Sequence, residues 1–183
     1  MKYWPGKGLE FAQGTCEAAI ARAKELGIEY VVVASNTGRT ARYFLESGLK
    51  VIVVTHHTGF KGPGQQEMTK EERRFLEDKG FLVLTTTHLF ANIERAITNK
   101  FGGLYPGGIV SNTLRMFGQG TKVCLEIAGM AIDAGMIPAG KEIIAVGGSG
   151  GGADTALVLI PAHSNAFFDT QILEVVCKPR VLK

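Results

Sequence analysis

Two runs rich in β-branched residues, IEYVVVAS and KVIVVT, fall within about 28 residues of each other, joined by the short stretch SNTGRTARYFLESGL. Neither run alternates apolar with polar residues, which marks strands buried on both faces. The stretch between them has room for a loop and one short helix, from near Gly38 to about Glu46. Strand, helix and strand in so little chain make a compact βαβ unit, with the strands parallel in one sheet.

The flanking segments extend that unit. GLEFAQGTCEAAIARAKELG places Leu9, Ala12, Cys16, Ala19, Ala23 and Leu26 three and four apart, an apolar helical face ended by Gly27. TKEERRFLEDKG opens on Thr69 with Glu72 three residues on, a capping box, and closes at Gly80. FLVLTTT reads as a third strand, and HLFANIERAITNKFGG as a helix with Leu89, Ile93, Ala96 and Ile97 inward. GGLYPGGIV reads as a loop or a loose start to the next helix. A long helix is expected from about Ser111 to Asp133, interrupted or bent near Gly118 and Gly120. Its Gln119, Lys122, Glu126 and Asp133 fall on one stripe, read as the polar face, with Lys122 placed to pair with Glu126. EIIAVGG, TALVLIPA and ILEVVCK close the chain as three strands. The expected fold is α/β: one domain over residues 1–183, a three-layer sandwich with a mostly parallel sheet and an antiparallel edge.

Composition narrows the function classes. At 183 residues, 45% hydrophobic and 20% charged, the chain belongs with globular proteins. The net charge of +3 is scattered, without a basic stripe interleaved with aromatics, so no nucleic-acid partner is expected. No apolar run approaches the roughly 20 residues of a membrane helix, and MKYWPGKGLEF has no signal-peptide core. Cys16, Cys124 and Cys177 are isolated and odd in number, which suits a reducing cytoplasm and small buried side chains.

The chemistry-bearing residues gather after the strands. The first strand is followed by Ser35, Asn36, Thr37, Gly38, Arg39 and Thr40, and the second by Thr55, His56, His57, Thr58 and Gly59. The third is followed by Thr85, Thr86, Thr87 and His88, and the fourth by Gly147, Gly148, Ser149, Gly150, Gly151 and Gly152. In a parallel sheet these carboxyl ends share one edge, where α/β folds bind ligands. Loops are polar in general, yet convergence of all these on one edge favours a ligand site. SNTGRT is open to two readings. A Ser35 or Asn36 cap on the following helix would account for part of it. Backbone amides at a helix start, three hydroxyls, Gly38 and Arg39 together form a phosphate-sized donor set.

Other motifs point elsewhere or nowhere. There is no GxxxxGK[ST]. GSGGGA lacks the helix that a dinucleotide fingerprint needs, so Gly148, Ser149, Gly150 and Gly151 read as a turn whose amides reach a ligand. Adjacent His56 and His57 splay apart and have no carboxylate at ligand spacing, so no metal is expected. A hydrogen-bond or acid–base role suits them better. Asp154 and His163 read as a turn residue and a surface histidine.

The stretch VVVASNTGRTARYFLESGLKVIVVT resembles the first βαβ unit of the pyruvate kinase C-terminal domain. Ser35, Thr37, Gly38 and Thr40 match a hydroxyl-x-hydroxyl-Gly-x-hydroxyl loop that, in that family, cradles an effector phosphate. IIAVGG…TALVLIPA resembles the domain's final hairpin. The resemblance implies that fold without the catalytic barrel, so no pyruvate kinase activity by this chain itself. The family's sugar-bisphosphate clamp draws an aromatic and a basic residue from the late loop, where this chain has GGSGGGAD. Stand-alone microbial proteins of this kind look like a separate branch, some of which resemble flavin mononucleotide (FMN) binders. The resemblance therefore implies FMN as cofactor, its phosphate on SNTGRT and its ring near His56, His57 and Thr58. A flavin-dependent oxidoreductase, or a sensor of a phosphorylated metabolite without catalysis, follows from it. A phosphorylated small molecule and a second copy of the chain are the expected partners.

Overall fold

The computed structural model describes residues 1–91 and 93–181. The strands are β1 (Lys2–Trp4), β2 (Tyr30–Ala34), β3 (Lys50–Thr55), β4 (Leu82–Thr85), β5 (Ile143–Ser149), β6 (Gly152–Ile160) and β7 (Gln171–Pro179). The α-helices are α1 (Ala12–Leu26), α2 (Lys70–Asp78), α3 (Ile93–Phe101), α4 (Pro106–Arg115) and α5 (Gln119–Asp133). One sheet takes the order β1-β7-β6-β5-β2-β3-β4. Strands β5, β2, β3 and β4 run parallel, and β6 runs antiparallel to both β5 and β7. The parallel sheet with antiparallel strands on one side, and helices on both faces, is the expected fold class.

The unbroken apolar runs explain the layers. On β2, Val31 and Val33 face one core with Ala12, Cys16, Ala19 and Ala23 of α1 and Leu76 of α2. Val32 faces the other, with Cys124, Leu125, Ala128 and Ile132 of α5. Successive residues of a strand point to opposite faces, so a strand covered on both must be apolar throughout. Helix α1 ends as expected, with Gly27 left-handed at φ 67°. Thr69 Oγ1 accepts the Glu72 N–H at 3.1 Å and starts α2. Glu72 then reaches across to Arg42 instead of back to Thr69.

Several expectations are corrected. Leu9 and Leu26 are exposed, Leu9 because it lies outside α1 in the 3-10 turn Leu9–Phe11 that precedes it, and Leu26 as the last residue of the helix. The helix expected after SNTGRT is only a 3-10 turn, Ala41–Phe44, closed when Ser47 Oγ donates to the Phe44 carbonyl at 2.7 Å. The long helix expected from about Ser111 begins earlier, at Pro106, and of the two alternatives at Gly118 it takes the interruption, with φ 122° and ψ 149° outside the helical region, which leaves α4 and α5 as separate helices. Helix α3 buries none of its residues, and Ile93 is 72% exposed. The short strand β1, parallel to β7, was not anticipated. All three cysteines are buried, and burial pushes the Cys16 thiol up to about 12. No described helix is long and apolar enough to cross a membrane.

Candidate functional site

The carboxyl ends of β2, β3, β4 and β5 open onto one cavity of about 520 Å³. Its strand side is formed by the loops after them, through Ser35, Asn36, Thr37, Arg39, Thr40, Thr55, His56, Phe60 and His88, with Gly148 and Gly150–152 at the hairpin. Arg95 of α3, Arg115 of α4, and Gln119, Lys122, Val123, Glu126, Ile127 and Met130 of α5 form the helix side.

The strand side is held by its own hydrogen bonds. Buried Ser35 Oγ accepts the N–H groups of Thr40 and Ala41, at 3.1 and 3.3 Å. Asn36 Oδ1 accepts the His56 backbone N–H at 3.0 Å, which turns its amide nitrogen toward His56 Nε2 at 3.2 Å. Because an amide nitrogen only donates, Nε2 must be the acceptor. The ring proton therefore sits on Nδ1, facing Glu67 Oε2 at 2.5 Å. Both ring nitrogens of His56 are committed. The His56 ring stacks on Phe60 at 3.7 Å between centroids, with His88 at 5.3 Å. Burial lowers the His88 pKa to about 4, so this imidazole is neutral at pH 7.

The helix side carries charge. Lys122 and Glu126, one turn apart on α5, are 6% and 5% exposed and ion-paired to each other. Glu126 Oε1 also accepts the Phe90 N–H at 3.2 Å. Burial first, then repulsion from Arg115 and Arg95, lowers the Lys122 pKa, with Glu126 acting in the opposite direction. Among the described residues, Arg115 donates to Gln119, Ser111 and Asn112. Among the described residues, no ion pair is formed by Arg39, Arg95 or Arg115. Glu67 and Glu126 are the carboxylates of the lining, each already partnered. The cavity therefore presents excess positive charge.

The family model described as "Pyruvate kinase, alpha/beta domain" matches residues 13–159, well over half of the chain. The chain belongs to the pyruvate kinase alpha/beta domain family. Three solved pyruvate kinases of Cryptosporidium parvum are similar to it, one of them in complex with ADP. Their identities are 17%, 17% and 15%, over 77%, 80% and 92% of this chain, with TM-scores of 0.37, 0.41 and 0.39. The chain spans 21–23% of the length of those pyruvate kinases.

The βαβ unit that carried the resemblance to pyruvate kinase lies inside the matched residues, as does the closing hairpin as far as Leu159. Of the site residues expected from sequence, Ser35, Asn36, Thr37, Arg39, Thr40, Thr55, His56, Gly148, Gly150 and Gly151 line the cavity. Gly38 does not. At φ +87° it lies against Glu72, where an added Cβ would overlap the carboxylate, so its close neighbour is protein. His57 turns aside, its Nδ1 on the Thr58 carbonyl at 2.9 Å, and Thr58 is exposed. The Ser149 N–H donates to Asp154 Oδ2 at 3.1 Å. Asp154 also accepts from Gly8 N–H and Thr155 Oγ1, which ties the N-terminal segment to the hairpin. His163 is exposed, beside Asp133.

Lys122 and Glu126 are corrected from surface to cavity. Helix α4 and the β4–α3 loop cover the side of α5 that the stripe would otherwise expose, while Gln119 and Asp133 at its ends remain solvated. The signal in the sequence was VCLEIAGMAI, apolar on every side of Glu126, which suits a helix covered all round. Arg95 and Arg115 carried no such signal, because nothing local distinguishes a cavity arginine from a surface one. Among the described residues no three His, Cys, Asp or Glu side chains group as metal ligands.

Proposed function

We propose that the cavity binds a phosphorylated small molecule, with FMN the first candidate. One observation carries the reading. Arg39, Arg95, Arg115 and Lys122 converge on a single cavity beside the hydroxyls of Thr37 and Thr40, with both lining carboxylates already partnered. Guanidinium groups match phosphate geometry and are weakly hydrated, so they suit such a task. With the helix start reduced to a 3-10 turn and two amides held by Ser35, the reading rests on side chains, not on a helix dipole. Phe60, His56 and His88 offer flat faces to a ring, and about 520 Å³ lies within the ordinary range for ligand pockets.

The test is titration with FMN and riboflavin, read by flavin fluorescence. FMN is expected to bind at least tenfold more tightly, as one charge-assisted phosphate site allows. Arg39→Ala is expected to narrow that ratio without changing riboflavin affinity. Equal affinity for the two flavins would sink the phosphate site, and no binding of either would send the search to sugar phosphates.

A second reading is a sensor of a phosphorylated metabolite that turns nothing over. What favours it is His56, whose ring nitrogens are taken by Glu67 and Asn36 and so offer no ready acid or base.

A further inference from the structure

Three arginines would suffice for a phosphate, yet the helix wall adds an amine that is costlier to bury than any of them. An ammonium is the more strongly hydrated cation, and lysines kept in buried clefts are the ones whose protonation shifts. The Lys122 side chain is 8% exposed. Its carboxylate partner is tethered to the Phe90 N–H, and Val123, Ile127 and Met130 line the cavity beside the pair.

We propose that Lys122 forms a Schiff base with a phosphorylated aldehyde or ketone held in this cavity, with Glu126 carrying the proton. The proposal rests on the phosphate reading of the cavity but not on the flavin. Arg39, Arg95 and Arg115 hold the phosphate end, and the carbonyl end reaches α5. Lys122 passes a proton from Nζ to the Glu126 carboxylate in contact with it, and the Nζ lone pair attacks the carbonyl carbon. The carbonyl π pair moves to oxygen, which takes up a second Nζ proton to give the neutral carbinolamine. Glu126 returns the first proton to the hydroxyl, which leaves as water as the C=N bond forms. Ammonium and carbonyl have become iminium and water, with no net proton change and no oxidant or reductant. The apolar floor and the neighbouring arginines both favour a neutral amine, as in other nucleophilic lysines.

The experiment uses the full chain with pyridoxal 5′-phosphate, a phosphorylated aldehyde, followed by borohydride reduction and peptide mass mapping. One adduct per chain is expected, on Lys122, formed about tenfold more readily than with pyridoxal and suppressed by inorganic phosphate. Lys122→Arg, which keeps a cation beside Glu126, should abolish the adduct, with cooperative urea unfolding as the check that the chain still folds. Adducts spread over exposed lysines such as Lys50 and Lys70, with Lys122 unmodified, would overturn the proposal. The phosphate reading would then still stand or fall on the two flavins. Equal labelling of Lys122 by both aldehydes would overturn the phosphorylated class of ligand, and with it the phosphate reading.

Discussion

The strand wall of the cavity directs its polar groups at one another, whereas the helix wall directs charge inward. Ser35 holds Thr40 and Ala41, and Asn36 and Glu67 hold His56. Across the cavity, Lys122 and Glu126 form a buried pair among apolar residues, with Arg95 and Arg115 beside them. Polar loops are cheap to satisfy locally, since their own backbone supplies partners. A charged pair on a helix has no such supply and persists only in good mutual geometry. The strand wall is therefore a preformed frame to which Arg39 adds one charge, and the helix wall supplies the other charges that a ligand meets.

The largest effect that separates the walls is expected at α5. Glu126→Leu leaves Lys122 buried without its counter-charge and should destabilise the protein by about 3 kcal/mol in urea unfolding. Lys122→Met on top of it should recover most of the loss, because a well-packed apolar pair replaces a buried ionic one at little cost. If the single and double variants unfold at the same denaturant concentration, the pair is solvated and the contrast between the walls fails.

Ser35→Ala tests the frame and should cost less, about 1–2 kcal/mol, the usual loss when a hydroxyl cap leaves buried backbone N–H groups without an acceptor. The charge wall makes a different forecast for ligand affinity, which should fall only as far as the loop loosens. A loss of binding larger than that of Arg39→Ala, at unchanged stability, would move Ser35 from the frame to the ligand.

The contrast also explains what could be read without a structure. Val31 to Val33 and Val51 to Val54 declare two-sided burial in every residue, and parallel pairing then brings the polar loops to one edge. The frame was legible because it is local: hydroxyls, glycines and histidines follow each strand directly. The helix wall depends on which element covers α5. That is decided by the break at Gly118, where the sequence left an interruption or a bend open, and by α4 folding back on α5. Ile93 of α3, expected to point inward, is exposed, and none of that helix's residues is buried. Gly38 shows the converse. Its positive φ was foreseeable, but its neighbour Glu72 comes from another helix, 34 residues on.

His88 sits where the walls meet and gives the smallest predicted effect. Its folded pKa is lowered to about 4, chiefly by burial, with attraction by Glu126 opposing the shift and repulsion from His56, Lys122 and His57 adding to it. In the unfolded chain the group titrates near its ordinary 6.5, so between about pH 6.5 and 4 the unfolded state binds more protons. Stability from this source is complete above pH 6.5 and is lost as pH falls toward 4. Because His88 is partly exposed, solvent screening reduces the loss to about 1 kcal/mol. Unfolding at pH 7 and pH 5 should show His88→Gln losing less stability than the parent over that interval. An identical loss in both would place the titrating group elsewhere, and would mean that protonated His88 is accommodated by Glu126, making the charge wall a sink for protons as well as for anions.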